Sequence, residues 1–259
     1  MNMKVKDIIG AVEEFAPACV QEEWDNSGLI IGSPEDEISG VLVAFDCTPE
    51  TVDEAVREGC GMIVTHHPLI FKGIRRIAPG DPVCDAVIKA VKAGVAIYAA
   101  HTSADKVRGG VSFAMAGKLG LKDVEILSKD SDETGLGAIG SLPEPLPAGE
   151  FIALLKKAFS CAVVKASDPE GITVSRVGLC GGSGSDFIAL ARERGAQAYV
   201  CADISYHNFF TPKGFMVADI GHFESEVEIT DILFSKLKKN FPNFAVRIST
   251  VMRNPVYYF

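Results

Sequence analysis

The chain carries five histidines, His66, His67, His101, His207 and His222, and four of them close an apolar run. His66 and His67 end MIVTHHP, His101 ends VAIYAAH, and His222 follows FMVADIG. Two carboxylates keep a four-residue spacing to these rings: Asp105 in HTSAD and Glu226 in GHFESE. If a helix starts near His222, as the apolar spacing of Val227, Ile229, Ile232 and Leu233 suggests, His222 and Glu226 lie one turn apart on one face. Neighbours on a strand point to opposite faces, so His66 and His67 can serve one site only where the strand ends, and Pro68 supplies that ending. A single histidine at a strand end is more often a hydrogen-bonded structural residue than a ligand. Four such histidines with two spaced carboxylates point instead to metal binding. Imidazole nitrogen and carboxylate oxygen without a nearby thiol suit zinc, iron, manganese or nickel, and ligand type alone does not choose among them. Two such ions ~3.5 to 4 Å apart, bridged by a carboxylate, lower the pKa of a water toward ~7, a common basis for hydrolysis.

Other motifs admit two readings each. GGSGSD, after RVGLC, could cradle a phosphate on backbone N–H groups or simply make a tight strand-to-helix turn. Lys72, Arg75 and Arg76 in FKGIRR could hold substrate phosphates or lie in a solvated loop. Asp46, at the end of VLVAFD, could orient a histidine or cap the helix that TPET begins. Tyr206 and His207 could supply a proton or serve a structural hydrogen bond.

The elements that must position these groups read as α/β. Apolar runs at 41–46, 62–67, 95–101, 176–182 and 198–203 have the character of buried parallel strands, and helical spacing lies between them. TPETVDEAVREGC shows Thr48 as cap, Pro49 at the first turn and Gly59 as terminator. FMVADIGHFESEVEITDILFSKLKKN gives a strand and then a long amphipathic helix, and FAVRISTV closes the chain as a strand. SKDSDETGLGAIGSLPEPLP, residues 128–147, lacks a period and is rich in Ser, Asp, Gly and Pro, which marks a connection between two domains.

At 259 residues the chain can bury a sizeable core. Its net charge of -9 and pI near 5.1 work against general nucleic-acid binding. No stretch approaches the ~20 apolar residues that span a bilayer, and residues 1–15 pair charge with apolar side chains at helical spacing rather than forming a secretion signal. A cytoplasmic protein is expected. The seven cysteines are odd in number and widely spaced, and read as reduced, buried small hydrophobes.

WDNSGLIIG, VAFDCTPETVDEA, IVTHHPLIFKGI, AAHTSADKVRGGV, LCGGSGSD and GHFESE, in this order, resemble the Nif-three-like proteins, the GTP cyclohydrolase 1 type 2 homologs. The resemblance implies two α/β domains, the second inserted in the first, which places residues 1–127 plus 216–259 in a metal-binding domain and 128–215 in the insert. It further implies a toroidal homohexamer with two divalent metal ions per subunit, held by His66, His67, Asp105, His222 and Glu226. His101 would act beside the metals as acid or base, with His207 as a second proton-transfer candidate. Where the family usually shows Thr-Gly-Asp or Thr-Gly-Glu before a Tyr-His pair, this chain has Cys201, Ala202 and Asp203. The activity implied is metal-dependent hydrolysis of a small molecule such as a nucleotide, with GTP ring opening as the specific case. A phosphoesterase with the same metals, or a metal-binding hexameric scaffold, are the alternatives.

Overall fold

A computed structural model describes residues 3–259, which divide into two compact units. The first comprises Met1–Ala104 and Ile229–Arg253, the second Asp105–Glu228 and Asn254–Phe259. Of the helix expected over 1–15, the first two residues lie outside the described ones, and the helix itself runs Val5–Glu13.

The first unit is built on a five-stranded sheet in the order Ala245–Ile248, Gly40–Ala44, Met62–Thr65, Ala96–Ala99, Gly28–Ile31. The first four strands run parallel and Gly28–Ile31 joins antiparallel at the edge. Every residue of the three inner strands is buried, as the unbroken apolar runs require when both faces of a parallel sheet are covered. Two crossover helices link them. Pro49–Arg57 starts where Thr48 Oγ1 accepts from Thr51 N at 3.2 Å, with Pro49 at the first helical position, and Gly59 takes φ +69° just past its end. Pro82–Ala93 starts on Asp81 Oδ1, which accepts from Cys84 N at 3.0 Å, and Gly94 closes it at φ +66°. Val52, Ala55, Ile63, Ala86, Val87, Ala90 and Ile97 pack into one core between these helices and the sheet.

The second unit holds a six-stranded sheet in the order Lys122–Lys129, Gly135–Pro147, Thr173–Ser183, Ala198–Ala202, Met216–Asp219, Lys165–Ala166. Its three central strands, 173–183, 198–202 and 216–219, run parallel, and the remaining pairings are antiparallel. Tyr199, Cys201, Val217, Ile139 and Leu127 anchor its core.

Residues 128–147 are therefore not a connection. They hold the end of one strand, a turn and a 13-residue strand. Ser131 and Thr134 form the turn, with Asp130 N and Ser131 N both donating to Thr134 O. The glycines that suggested a linker serve close backbone approach: a Cβ on Gly135 would lie 2.1 Å from Ser128 O, and one on Gly140 would lie 2.9 Å from Lys122 O. Pro143, Pro145 and Pro147 fall beyond Ser141, where the pairing with 122–129 stops, so their missing donors leave that ladder intact. Because 122–129 and 216–219 both pair in the second sheet, the domain limits expected at 127 and 216 move to 104/105 and 228/229. Residues 254–259 also return to the second unit, where Asn254 Nδ2 donates to Glu224 Oε1 at 2.9 Å. Among the described residues, no helix is long and apolar enough to cross a membrane.

In the first unit the last strand is secured by a buried acid. Glu54 is 2 % exposed and accepts from Ser249 Oγ at 2.5 Å, Thr250 N at 2.9 Å and Thr250 Oγ1 at 2.5 Å. Burial alone would raise its pKa, but these donors outweigh burial and hold it below the usual range. A depressed folded-state pKa means the stabilisation is present above the unfolded-state value and lost as pH falls through the folded one. Glu54→Gln should therefore cost about 1–3 kcal/mol at neutral pH. Urea melts should show the gap between the two proteins closing in acid, and an equal gap at both pH values would contradict this account.

Candidate metal centre

In the first unit, His66 and His67 stand immediately beyond the strand Met62–Thr65, and His101 beyond Ala96–Ala99. These are carboxyl ends of adjacent parallel strands, where side chains of an open α/β sheet converge. Each of His66, His67 and His101 presents a ring nitrogen within 4.8 Å of the others. The strand ends at Thr65, before both histidines and three residues short of the Pro68 expected to end it: Thr65 Oγ1 donates to His67 O at 2.7 Å, and His67 N donates to Phe45 O at 3.2 Å. Phe45 stacks on the His66 ring at 5.8 Å between centroids and lies 4.6 Å from that of His67.

All three rings are pinned in the same way. His66 Nδ1 faces Ala100 O at 3.1 Å, His67 Nδ1 faces Asp46 Oδ1 at 2.8 Å, and His101 Nδ1 faces Asp25 Oδ1 at 2.7 Å. A carbonyl or carboxylate oxygen can only accept, so each Nδ1 carries the proton and each Nε2 keeps its lone pair. Asp46 thus orients a histidine, and the helix cap is Thr48. Asp25 is held more firmly still. Its side chain is fully buried and accepts from Ser27 Oγ at 2.8 Å and from Thr102 N and Oγ1 at 3.0 and 2.5 Å. Burial pulls its pKa up, but the bonds from His101 and Thr102 hold it well below the usual carboxylate range, so it remains an anion beside His101.

In the second unit, the helix His222–Glu226 places its first and last residues on one face, as the spacing predicted, with His222 Nε2 2.9 Å from Glu226 Oε2. Asp105, at the end of the short helix Thr102–Asp105, offers a carboxylate oxygen within 4.8 Å of one on Glu226. Glu226 therefore stands within reach of both His222 and Asp105. His222 Nδ1 lies 2.7 Å from Asp203 Oδ2, which repeats the pinning of the other three rings. Asp203 reaches it from a left-handed conformation, φ +54°, at the end of the strand Ala198–Ala202.

GGSGSD has a role that neither sequence reading foresaw. A Cβ on Gly182, at φ +60°, would lie 2.3 Å from Glu226 Oε1 and 3.2 Å from His222 Cε1, and one on Gly181 would lie 3.1 Å from Glu226 Cγ. Gly182 N also donates to Ser225 Oγ at 3.0 Å, and Ser225 Oγ donates to His222 O at 2.8 Å. The glycines let the backbone press against the helix that carries His222 and Glu226. Asp25 and Asp203 were likewise missed as orienting groups. Asp25 is the second residue of WDNSGLIIG and Asp203 ends the run 198–203, but the partner lies 76 residues away for Asp25 and 19 for Asp203.

Other candidates stand apart from these donors. His207 is exposed in the turn Tyr206–Phe209, its ring 5.4 Å from Tyr206 and stacked at 6.4 Å on Phe210, and it joins none of the donor groups among the described residues. Lys72, Arg75 and Arg76 lie on an exposed loop. Six cysteines are buried as expected, but Cys19 is exposed, and no cysteine is in a disulfide. Cys180 is driven well above its ordinary pKa by burial and then by the charges of Asp105 and Glu226, which keeps it a neutral thiol.

Two substitutions test this geometry. Gly182→Ala should push Glu226 aside, and Asp46→Ala should free the His67 ring, each weakening divalent-metal affinity by about 10- to 100-fold. Competition against a chelator reads the affinity, and unchanged affinity in both variants would show that these groups do not position ligands.

The profile of the Duf34/NIF3 (NGG1p interacting factor 3) family matches residues 3–255. The chain is 32% identical over 243 residues to the GTP cyclohydrolase 1 type 2 homolog of Clostridium acetobutylicum, covering 92% of this chain and 91% of that one. To the protein of the same name from Streptomyces coelicolor it is 36% identical over 211 residues, 79% of this chain and 74% of the other. Among solved structures, a Bacillus cereus protein related to NIF3 superposes with TM-score 0.93 at 23% identity, covering 100% of this chain and 99% of that one. A Staphylococcus aureus hypothetical protein gives 0.91 at 26%, covering all of both chains. With its fold, its motifs and its full-length relatives in agreement, this chain belongs to the Duf34/NIF3 family.

Proposed function

We propose that His66, His67, Asp105, His222 and Glu226 hold two divalent metal ions and that the protein is a metal-dependent hydrolase of a nucleotide or a related small molecule. The observation that carries this reading is the uniform pinning of His66, His67, His101 and His222, each with Nδ1 on an oxygen acceptor. An oxygen acceptor on Nδ1 fixes the ring and turns Nε2 toward the neighbouring donors, the arrangement typical of metal-binding histidines. Glu226, within reach of both His222 and Asp105, suits a bridging carboxylate. Nitrogen and carboxylate donors, with Cys180 kept neutral, fit zinc, iron, manganese or nickel.

When bound, the ions would supply an acidified water and polarise the bond under attack. The remaining work falls to the chain. His101 has its Nδ1 proton fixed by the ionised Asp25, so its Nε2 can take a proton and return it while Asp25 stabilises the imidazolium. The relatives' name supports GTP as the first substrate to try, one water opening the imidazole ring at C8 to a formamide and a second water cleaving that formamide so that formate leaves and the amine stays on the pyrimidine. We take the protein to be a cytoplasmic homohexamer, as its resemblance to the family implies, and exposed Val256, Tyr257, Tyr258 and Phe259 offer apolar surface for contact between copies.

Elemental analysis of protein purified without added metal should find about two ions per chain, with His66→Ala and Glu226→Ala each sharply reduced. Metal-loaded protein should release formate from GTP, and His101→Ala should slow this by about 100-fold or more without lowering metal content. Metal retained equally by both ligand variants would overturn the proposed site. Turnover of a phosphodiester with no formate from GTP would replace the ring-opening reading with phosphoryl transfer.

A further inference from the structure

The first unit leaves two large rings in solvent beside His101. Trp24 is 59% exposed and Phe71 is 46% exposed. Their centroids lie 6.2 and 6.0 Å from that of His101 and 6.0 Å from each other, with an interplanar angle of 68°. Exposed aromatic surface is costly in water, and here the chain invests bonds in presenting it. Trp24 directly precedes Asp25, which Ser27, His101 and Thr102 lock in place. Glu22 N donates to Thr102 Oγ1 at 2.9 Å on the other side. Asn26 Nδ2 donates to Ile70 O at 2.6 Å, tying the loop of Trp24 to the residue before Phe71. The two rings are therefore tied into one corner, both partly in solvent and set at 68° to each other, a geometry that can receive a flat ring. Immediately after Phe71 come Lys72, Arg75 and Arg76, all exposed, in a chain whose net charge is -9.

We propose that Trp24 and Phe71 form a stacking platform for the flat heteroaromatic ring of an anionic substrate, which sets that ring beside His101, with Lys72, Arg75 and Arg76 facing the substrate's negative charge. This rests on the reading of the site as a nucleotide hydrolase and assigns the part of the substrate that is recognised. A base on such a platform gains its affinity from the π-face, so purines of different substitution bind alike and ring-free phosphates do not.

Trp24 is the only tryptophan in the chain, so its own emission reports the contact. Titration of the full-length metal-loaded protein with GTP and with ATP should quench Trp24 saturably, while ribose 5-phosphate and inorganic triphosphate should leave it unchanged. Trp24→Ala and Phe71→Leu should weaken GTP binding, measured calorimetrically, by about tenfold. Trp24→Phe, which keeps a ring, should recover most of it. Metal content should be normal in all three variants. Emission indifferent to GTP in a protein that still holds metal and releases formate would overturn the platform and leave the hydrolase reading standing. Equal quenching by ribose 5-phosphate would also overturn it. Quenching by GTP with no formate released would uphold the platform and remove the hydrolase reading instead.

Discussion

A single hydrogen bond, from imidazole Nδ1–H to an oxygen that can only accept, governs this protein. It recurs at His66, His67, His101 and His222, with a carbonyl as acceptor once and a carboxylate three times. A free imidazole exchanges tautomers and rotates about χ2, and either motion removes the nitrogen a metal needs. The fold removes both freedoms. His66, His67 and His101 stand at the ends of adjacent parallel strands, and the acceptors come from the segments that follow the neighbouring strands or from the loop before Gly28–Ile31.

Much of the rest follows from what those acceptors require. Asp25 must stay ionised although its side chain is wholly buried, and Ser27 and Thr102 supply the bonds that offset its desolvation. Asp203 must reach His222 from a left-handed backbone, which an Asp tolerates better than a branched residue. Gly181 and Gly182 must lack side chains because Glu226 occupies the space a Cβ would fill.

The parallel strands and their helices were legible in the sequence because buried strands write themselves as unbroken apolar runs and helices announce their caps, as Thr48 and Asp81 do. The four-residue spacings of His101/Asp105 and His222/Glu226 were legible for the same local reason, and the helix His222–Glu226 puts its two ends on one face. Residues 128–147 were misread because glycines that permit backbone contact look, in composition, like glycines that permit flexibility. The orienting roles of Asp25 and Asp203 were not legible because their partners lie 76 and 19 residues along the chain, and no local pattern encodes such a pairing. His207 is the case where local sequence carries least information about placement. Its Tyr-His setting looked chemical, yet the turn puts it on an exposed ring cluster with Phe210.

Cys180 carries a further consequence for which cations the protein admits. A thiolate beside two carboxylates would be a trap for soft, thiophilic ions such as copper(I). Here apolar surroundings and the negative charge of Asp105 and Glu226 keep the sulfur protonated. With no cation beside it, the sulfur is thus a neutral, weakly polar wall behind the two carboxylates, and the donors the chain presents are nitrogen and oxygen.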